Sequence, residues 1–231
     1  MTQFAFMSGK GGVGQSFLVG NLARAMTASG SPVEVVILAG SPPGLELPDS
    51  GEGSEGLKLI RESSLDSLTG PSEEGAVRML DLPTVFEGAD LETVARAGFV
   101  ALVVNPDPAS LVGAYRLLRR LVEANRGVQV GLIVNRSDPA QAEAVSQRFK
   151  AFAGRHLGCP VRFLGSVRES GAVARAVKTR RFLETAAPRT KALVEIRDIA
   201  ESLTSWTKPD SARPLLESLK PVESPAVPMA A

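Results

Sequence analysis

Six short apolar runs punctuate the chain: Phe4 to Met7, Val33 to Leu38, Val77 to Leu82, Phe99 to Val104, Val128 to Val134 and Val161 to Leu164. They are too short for helices and rich in Val, Leu, Ile and Phe, which predicts strands buried on both faces. Between them, apolar positions recur at helical spacing. This predicts helices near 15–29, 90–97, 109–125, 139–157 and 170–178, with a last one near 188–205. Strands alternating with helices imply right-handed crossovers and an α/β fold, a doubly wound, mostly parallel sheet with helices on both faces. Ligands of such sheets bind beyond the carboxyl ends of the strands.

Two stretches break the rhythm. Residues 40–56, GSPPGLELPDSGEGSEG, read as a long surface loop at the ligand end of the second strand. From Lys208 onward the chain has five prolines and no aromatic residue, too little apolar area to offset the entropy of ordering. The predicted organisation is one domain over 1–207 and a Pro-rich, disordered tail over 208–231.

Composition narrows the function classes. With 26 Lys+Arg against 25 Asp+Glu, the formal charge is +1, so no bulk attraction to nucleic acid or an anionic bilayer is expected. A single cysteine, Cys159, and a single histidine, His156, exclude an internal disulfide and a Cys/His zinc set. Residues 1–7 lack the basic start of a signal peptide and no run is long enough to span a bilayer, so the expected location is cytoplasmic. The core must be mostly aliphatic, since 9 Phe, 1 Trp and 1 Tyr are the only aromatics.

The chemistry sits directly after the first strand, in SGKGGVGQS, residues Ser8 to Ser16. A glycine loop between a strand and a helix start turns backbone N–H groups and the positive end of the helix dipole toward one point, which suits a polyphosphate. Glycines alone would signal only a tight turn, but the spacing says more. Gly9, Gly14 and Ser16 fit G-x-x-x-x-G-K-[ST] at every fixed position except one, where Gln15 stands for the lysine. Gly9, Lys10, Gly11, Gly12, Val13, Gly14, Gln15 and Ser16 are therefore the candidate phosphate cradle.

The string GKGGVG, with Lys10 just after the first glycine, resembles the deviant Walker A loop of the MinD/ParA group of dimerising P-loop ATPases. The match continues in order through LDLP at 80–83, LIVNR at 132–136, and the stretches 105–121 and 165–193, which look most like the FlhG/FleN/YlxH flagellar-number branch. The resemblance covers about residues 3–205 and implies ATP or ADP with Mg²⁺ as ligand. It also implies Lys10 reaching a dimer partner's phosphates, Ser16 and Asp81 holding the metal, and Asn135 contacting adenine. The N-terminal activator segment common in the flagellar branch has no counterpart ahead of the first strand, so that activity is not expected.

Departures from the family pattern concentrate at the catalytic positions. Gln15 carries no charge where the family has lysine. Where the family reads roughly Asp-Ala-Asp after the second strand, this chain reads Ala39, Gly40 and Ser41, with no carboxylate to orient water. Val85 replaces a switch glycine, and Arg168, Glu169 and Ser170 replace Pro-Glu-Asp. The reading is a hydrolysis-deficient relative that acts through protein partners of a polar machinery such as flagella, with nucleotide binding and homodimerisation left open. The alternative is an active ATPase switch for division, chromosome or flagellar positioning, which takes its cation from Lys10 and its water-orienting acid from Glu46, Asp49 or Glu52.

Basic and apolar surfaces elsewhere have plainer explanations. Arg116, Arg119 and Arg120 read as the solvated face of an amphipathic helix. Arg175, Lys178, Arg180 and Arg181 end a helix, where cations offset the dipole. The tail segment Arg213 to Lys220 is too small for firm membrane binding, so peripheral association would go through a partner, and the PxxP match at 225–228 is equally a product of composition.

Overall fold

A computed structural model describes residues 2–38, 56–65, 75–84 and 89–206. The expectations for Ala39 to Ser41, for the acids of the 40–56 loop, for Val85 and for the tail lie outside these residues. Among the described residues the element order is β1 (Thr2–Met7), α1 (Gln15–Ala28), β2 (Val33–Leu38), β3 (Leu57–Glu62), β4 (Val77–Asp81), α2 (Ala89–Ala97) and β5 (Phe99–Val104). It continues with α3 (Pro108–Ala124), β6 (Gln129–Asn135), α4 (Pro139–Leu157), β7 (Val161–Val167), α5 (Gly171–Lys178), α6 (Leu183–Ala186) and α7 (Lys191–Trp206).

The seven strands form one sheet in the order β3-β2-β4-β1-β5-β6-β7, and every pairing is parallel. The six apolar runs are all strands of this sheet. β2 and β5 are buried along their whole length, as expected where helices cover both faces. The sequence reading missed β3, an edge strand whose exposed Lys58 and Arg61 interrupt the apolar signal. Such charges are what a sheet edge carries to discourage pairing with other chains. It also missed α6, a single turn of helix.

Alternate strand residues feed two cores. Ala5 and Met7 face α2, α3 and α4, while Phe4 and Phe6 face α1 and α7. α1 leaves β1 over one face, and α3 leaves the adjacent β5 over the other. The sheet therefore parts its helices beside the carboxyl end of β1, the switch point where open α/β sheets hold ligands. Helix starts follow local chemistry: Asp107 and Asp138 cap α3 and α4, each with Pro at the first helical position.

Candidate functional site

The loop leaves β1 at Met7 and enters α1 at Gln15. Gly12 and Gly14 have φ of 77° and 88°, a left-handed backbone that residues with a Cβ rarely adopt. Gly14 is the residue before α1, which has no side-chain cap and no acid in its first turn. Its first N–H groups are thus left to an external acceptor, the property of an anion site. Lys10, Gly11 and Gly12 are exposed, Ser16 is half-buried, and Val13 and Gln15 are buried.

Two neighbours hold the loop in this shape. The Asn135 Nδ2, at the end of β6, donates to the Val13 carbonyl at 2.7 Å, and the same Nδ2 would lie 2.5 Å from a Cβ on Gly14. Asn135 is buried and spends its amide on the loop backbone, a clamping role that the family resemblance did not imply. On the other side Gly9 lies directly against Gly113 of α3, so that a Cβ on either would run into the other's backbone. Gly113 went unnoticed in the sequence, although a glycine inside a helix, costing roughly 1 kcal/mol relative to alanine, marks a packing or functional reason.

Gln15 is turned inward rather than toward the loop's open side. Its Nε2 lies 2.7 Å from Asp81 Oδ1, 2.7 Å from the Leu82 carbonyl and 3.1 Å from the Phe6 carbonyl. It therefore staples the carboxyl ends of β1 and β4. Two N–H groups serve three acceptors, and the Gln15 Oε1 is buried without a partner. A lysine here would bring three N–H groups and a charge to the same acceptors.

Asp81, only 2% exposed, has its carboxyl pushed above the usual carboxylate range by burial, with hydrogen bonds from Ser16 and Gln15 opposing the shift. Ser16 and Asp81 are thus in hydrogen-bond contact. Lys10 Nζ forms an exposed ion pair with Asp107 at 2.9 Å. Asp107 also accepts from the Ser110 N–H at 2.9 Å, and that hydrogen bond first, then Lys10, holds its carboxyl below the usual range. Asp107 is the second residue the sequence reading missed, although the Asp-Pro pair at a helix start was a visible cap signal.

The residues fit a magnesium nucleotide in part. The bare start of α1, the left-handed glycines and Ser16 suit phosphates and a metal. On the metal's side, Asp81 is desolvated and already engaged by Gln15. On the phosphate side, the one loop cation is Lys10. Among the described residues there is no His/Cys/Asp/Glu cluster suited to a metal ion. No described helix is long and apolar enough to cross a membrane.

Three of the remaining basic and switch positions, Arg168, Ser170 and Arg119, are accounted for by local contacts. Arg168 pairs with Glu195 through both its backbone N–H and its guanidinium, and Ser170 caps α5. Arg119 pairs with Glu123 at 2.7 Å on the outer face of α3.

No model of a known family matches the chain. It is similar to the flagellum site-determining protein YlxH of Helicobacter pylori, at 27% identity over 87% of this chain and 81% of that protein. It is also similar to the antiactivator FleN of Pseudomonas aeruginosa, at 24% identity over 92% of this chain and 90% of that protein. Among solved structures, MinD of Aquifex aeolicus superposes with a TM-score of 0.66 at 18% identity, covering 90% of this chain and 99% of MinD. The Mg-ADP complex of MinD from Pyrococcus horikoshii gives 0.64 at 16% identity, covering 89% and 96%. At those identities the structural likeness speaks for the fold.

Proposed function

We propose that this chain, a MinD/ParA-type P-loop protein on the flagellar-regulator side of that family, governs the placement or number of a flagellar assembly. It does so by binding protein partners, with nucleotide hydrolysis weak or lost. Support for the setting comes from the two relatives, one described as determining flagellum site and the other as an antiactivator. Support for the loss of turnover comes chiefly from one observation, the inward set of the Gln15 amide.

With Gln15 bound to Asp81 and two strand carbonyls, no charge from position 15 faces the phosphates. Removing one transition-state donor costs roughly 10²–10³ in rate, and a missing charge opposite phosphate costs more than a missing neutral donor. ATP or ADP would rest on the N–H groups from Gly9 to Ser16, with Ser16 and Asp81 on the Mg²⁺ side. When bound, the metal would neutralise phosphate charge. Lys10 would be drawn from Asp107 either to its own nucleotide or to that of a second copy in a homodimer. The location that goes with this reading is cytoplasmic, with any membrane contact made through a partner.

Two measurements on purified protein test the reading. Phosphate release from Mg-ATP should stay at the blank for the wild type. It should stay there for Gln15→Lys as well, because Ala39, Gly40 and Ser41 supply no water-orienting carboxylate. Titration calorimetry with ADP and ATP should give heat that disappears with Ser16→Ala. Clear wild-type turnover abolished by Lys10→Ala would sink the hydrolysis-deficient reading and establish the active switch in its place.

A further inference from the structure

A concavity with a volume of about 890 Å³ lies away from the phosphate loop, between the carboxyl-terminal halves of α3 and α4. Its floor is apolar and partly aromatic. Tyr115 stacks on Phe149 with ring centroids 4.3 Å apart, and also meets Phe152 at 4.4 Å. Phe152 continues to His156 at 4.5 Å. Phe152 is 41% exposed, so this stack leaves apolar ring surface open to an incoming group.

The rim is cationic at both ends. Arg119 is neutralised by Glu123, but Arg116 and Arg126, both exposed groove residues, have no carboxylate partner among the described residues. They are ten positions apart on, and just beyond, one helix, which at 1.5 Å per residue separates them by about 15 Å along the groove. In an extended peptide, at about 3.3 Å per residue, that spacing matches two side chains four or five positions apart. The aromatic floor lies against the same stretch of α3.

We propose that this groove docks a short acidic segment of a protein partner, in which two carboxylates four or five residues apart flank one aromatic or large aliphatic side chain. The carboxylates meet Arg116 and Arg126, and the apolar side chain covers Phe152 and Tyr115. Charge complementarity selects this occupant over a nucleic acid. Arg116 and Arg126 would neutralise only about two phosphates, the Glu123 carboxylate stands on the same rim, and binding that rests on so few phosphate contacts is weak. Exposed aromatic rings beside arginines are also the side chains that anchor protein interfaces.

The test needs no nucleotide and is separable from the question of turnover. A phage-displayed library of random 16-residue peptides is panned on the full chain at near-physiological salt. A recovered peptide, fluorescein-labelled, is then titrated by anisotropy against the wild type and variants whose circular dichroism melts match it. The expected consensus has two acids four or five apart around an aromatic. Arg116→Glu with Arg126→Glu should weaken binding by about 100-fold, about tenfold for each reversed charge, and Phe152→Ala by about tenfold. Lys178→Glu, in the α5 cluster, should leave affinity unchanged. A library with no acidic consensus overturns the proposal, as does a peptide that binds the double variant as tightly. Saturable binding of a labelled single-stranded DNA that disappears in the double variant overturns it in favour of nucleic acid.

Discussion

The two ends of the phosphate loop are tethered in opposite ways. At the leading end, Lys10 reaches Asp107 across an ion pair whose side chains are 45% and 36% exposed, so water screens it and competing anions can replace it. At the trailing end, Gln15 is buried and tied to two strands at once, and breaking those contacts would leave polar atoms without partners in a dry site. An arriving polyphosphate can therefore recruit the leading end at little cost, while the trailing end is fixed before any ligand arrives. The contrast lies in the contacts themselves: an exposed ion pair at Lys10 and a buried amide at Gln15 shared among three acceptors.

Substitutions that separate loop shape from loop chemistry sharpen this contrast, and the largest effect is expected where no chemistry is involved. Gly113→Val would drive a branched side chain into the Gly9 backbone, and backbone has no rotamer by which to yield. Overpacking of this kind costs about 3 kcal/mol, read as a drop in urea-unfolding free energy. An unchanged midpoint would mean that α3 does not back the loop as tightly as the close approach implies. Next comes Gln15→Leu. It leaves the Phe6 and Leu82 carbonyls and Asp81 without their common donor, for a loss of about 2 kcal/mol. If Gln15→Leu proved neutral, the trailing end would not be locked and the comparison would fail.

Asp81 offers a pH test of the same lock. Its carboxyl is raised above its ordinary value of 3.8, so the fold favours the protonated form. That contribution is fully present below the ordinary value and is lost as pH rises through the raised one. Asp81→Asn, which still accepts from Gln15 Nε2, should therefore unfold at higher urea than the wild type at neutral pH, and the gap should close as pH falls toward 4. A gap that widened on acidification would mean that Asp81 is stabilised as a carboxylate, as a metal ligand with a strong cationic partner would be.

Most of the frame could be read from the chain because periodicity reports burial. Strands covered on both faces are uniformly apolar, and helices covered on one face are striped. β3 escaped because an edge strand buries too little to show that signature. The glycine spacing disclosed the loop, since left-handed backbone at Gly12 and Gly14 is a demand few residues meet. The direction of the Gln15 side chain could not be read in the same way. Glutamine can donate to phosphate or to strand carbonyls, and only the packed ends of β1 and β4 decide between them. Asn135 is the same case in reverse: its place just beyond a predicted strand was legible, but its engagement with Val13 depends on how closely β6 approaches the loop. Asp107 and Gly113 each left a local signal, a cap and a helix-interior glycine. What joined them to Lys10 and Gly9 was tertiary proximity across about a hundred residues.

The smallest effect on stability, and the sharpest on function, is expected at the leading end. Asp107→Asn keeps the oxygen that caps α3, because asparagine serves that position as well as aspartate, but removes the charge that holds Lys10. The unfolding midpoint should therefore stay within the scatter of repeated wild-type curves, while Lys10 is released toward the loop's open side. If nucleotide is recruited there, calorimetric affinity for ATP should rise in Asp107→Asn and fall in Lys10→Ala, with both changes shrinking as salt is added. If instead Lys10→Ala unfolds as readily as Gln15→Leu, the exposed ion pair is structural, and the loop is locked at both ends. Equal stability with opposite shifts in affinity is the pattern that one free end and one fixed end require.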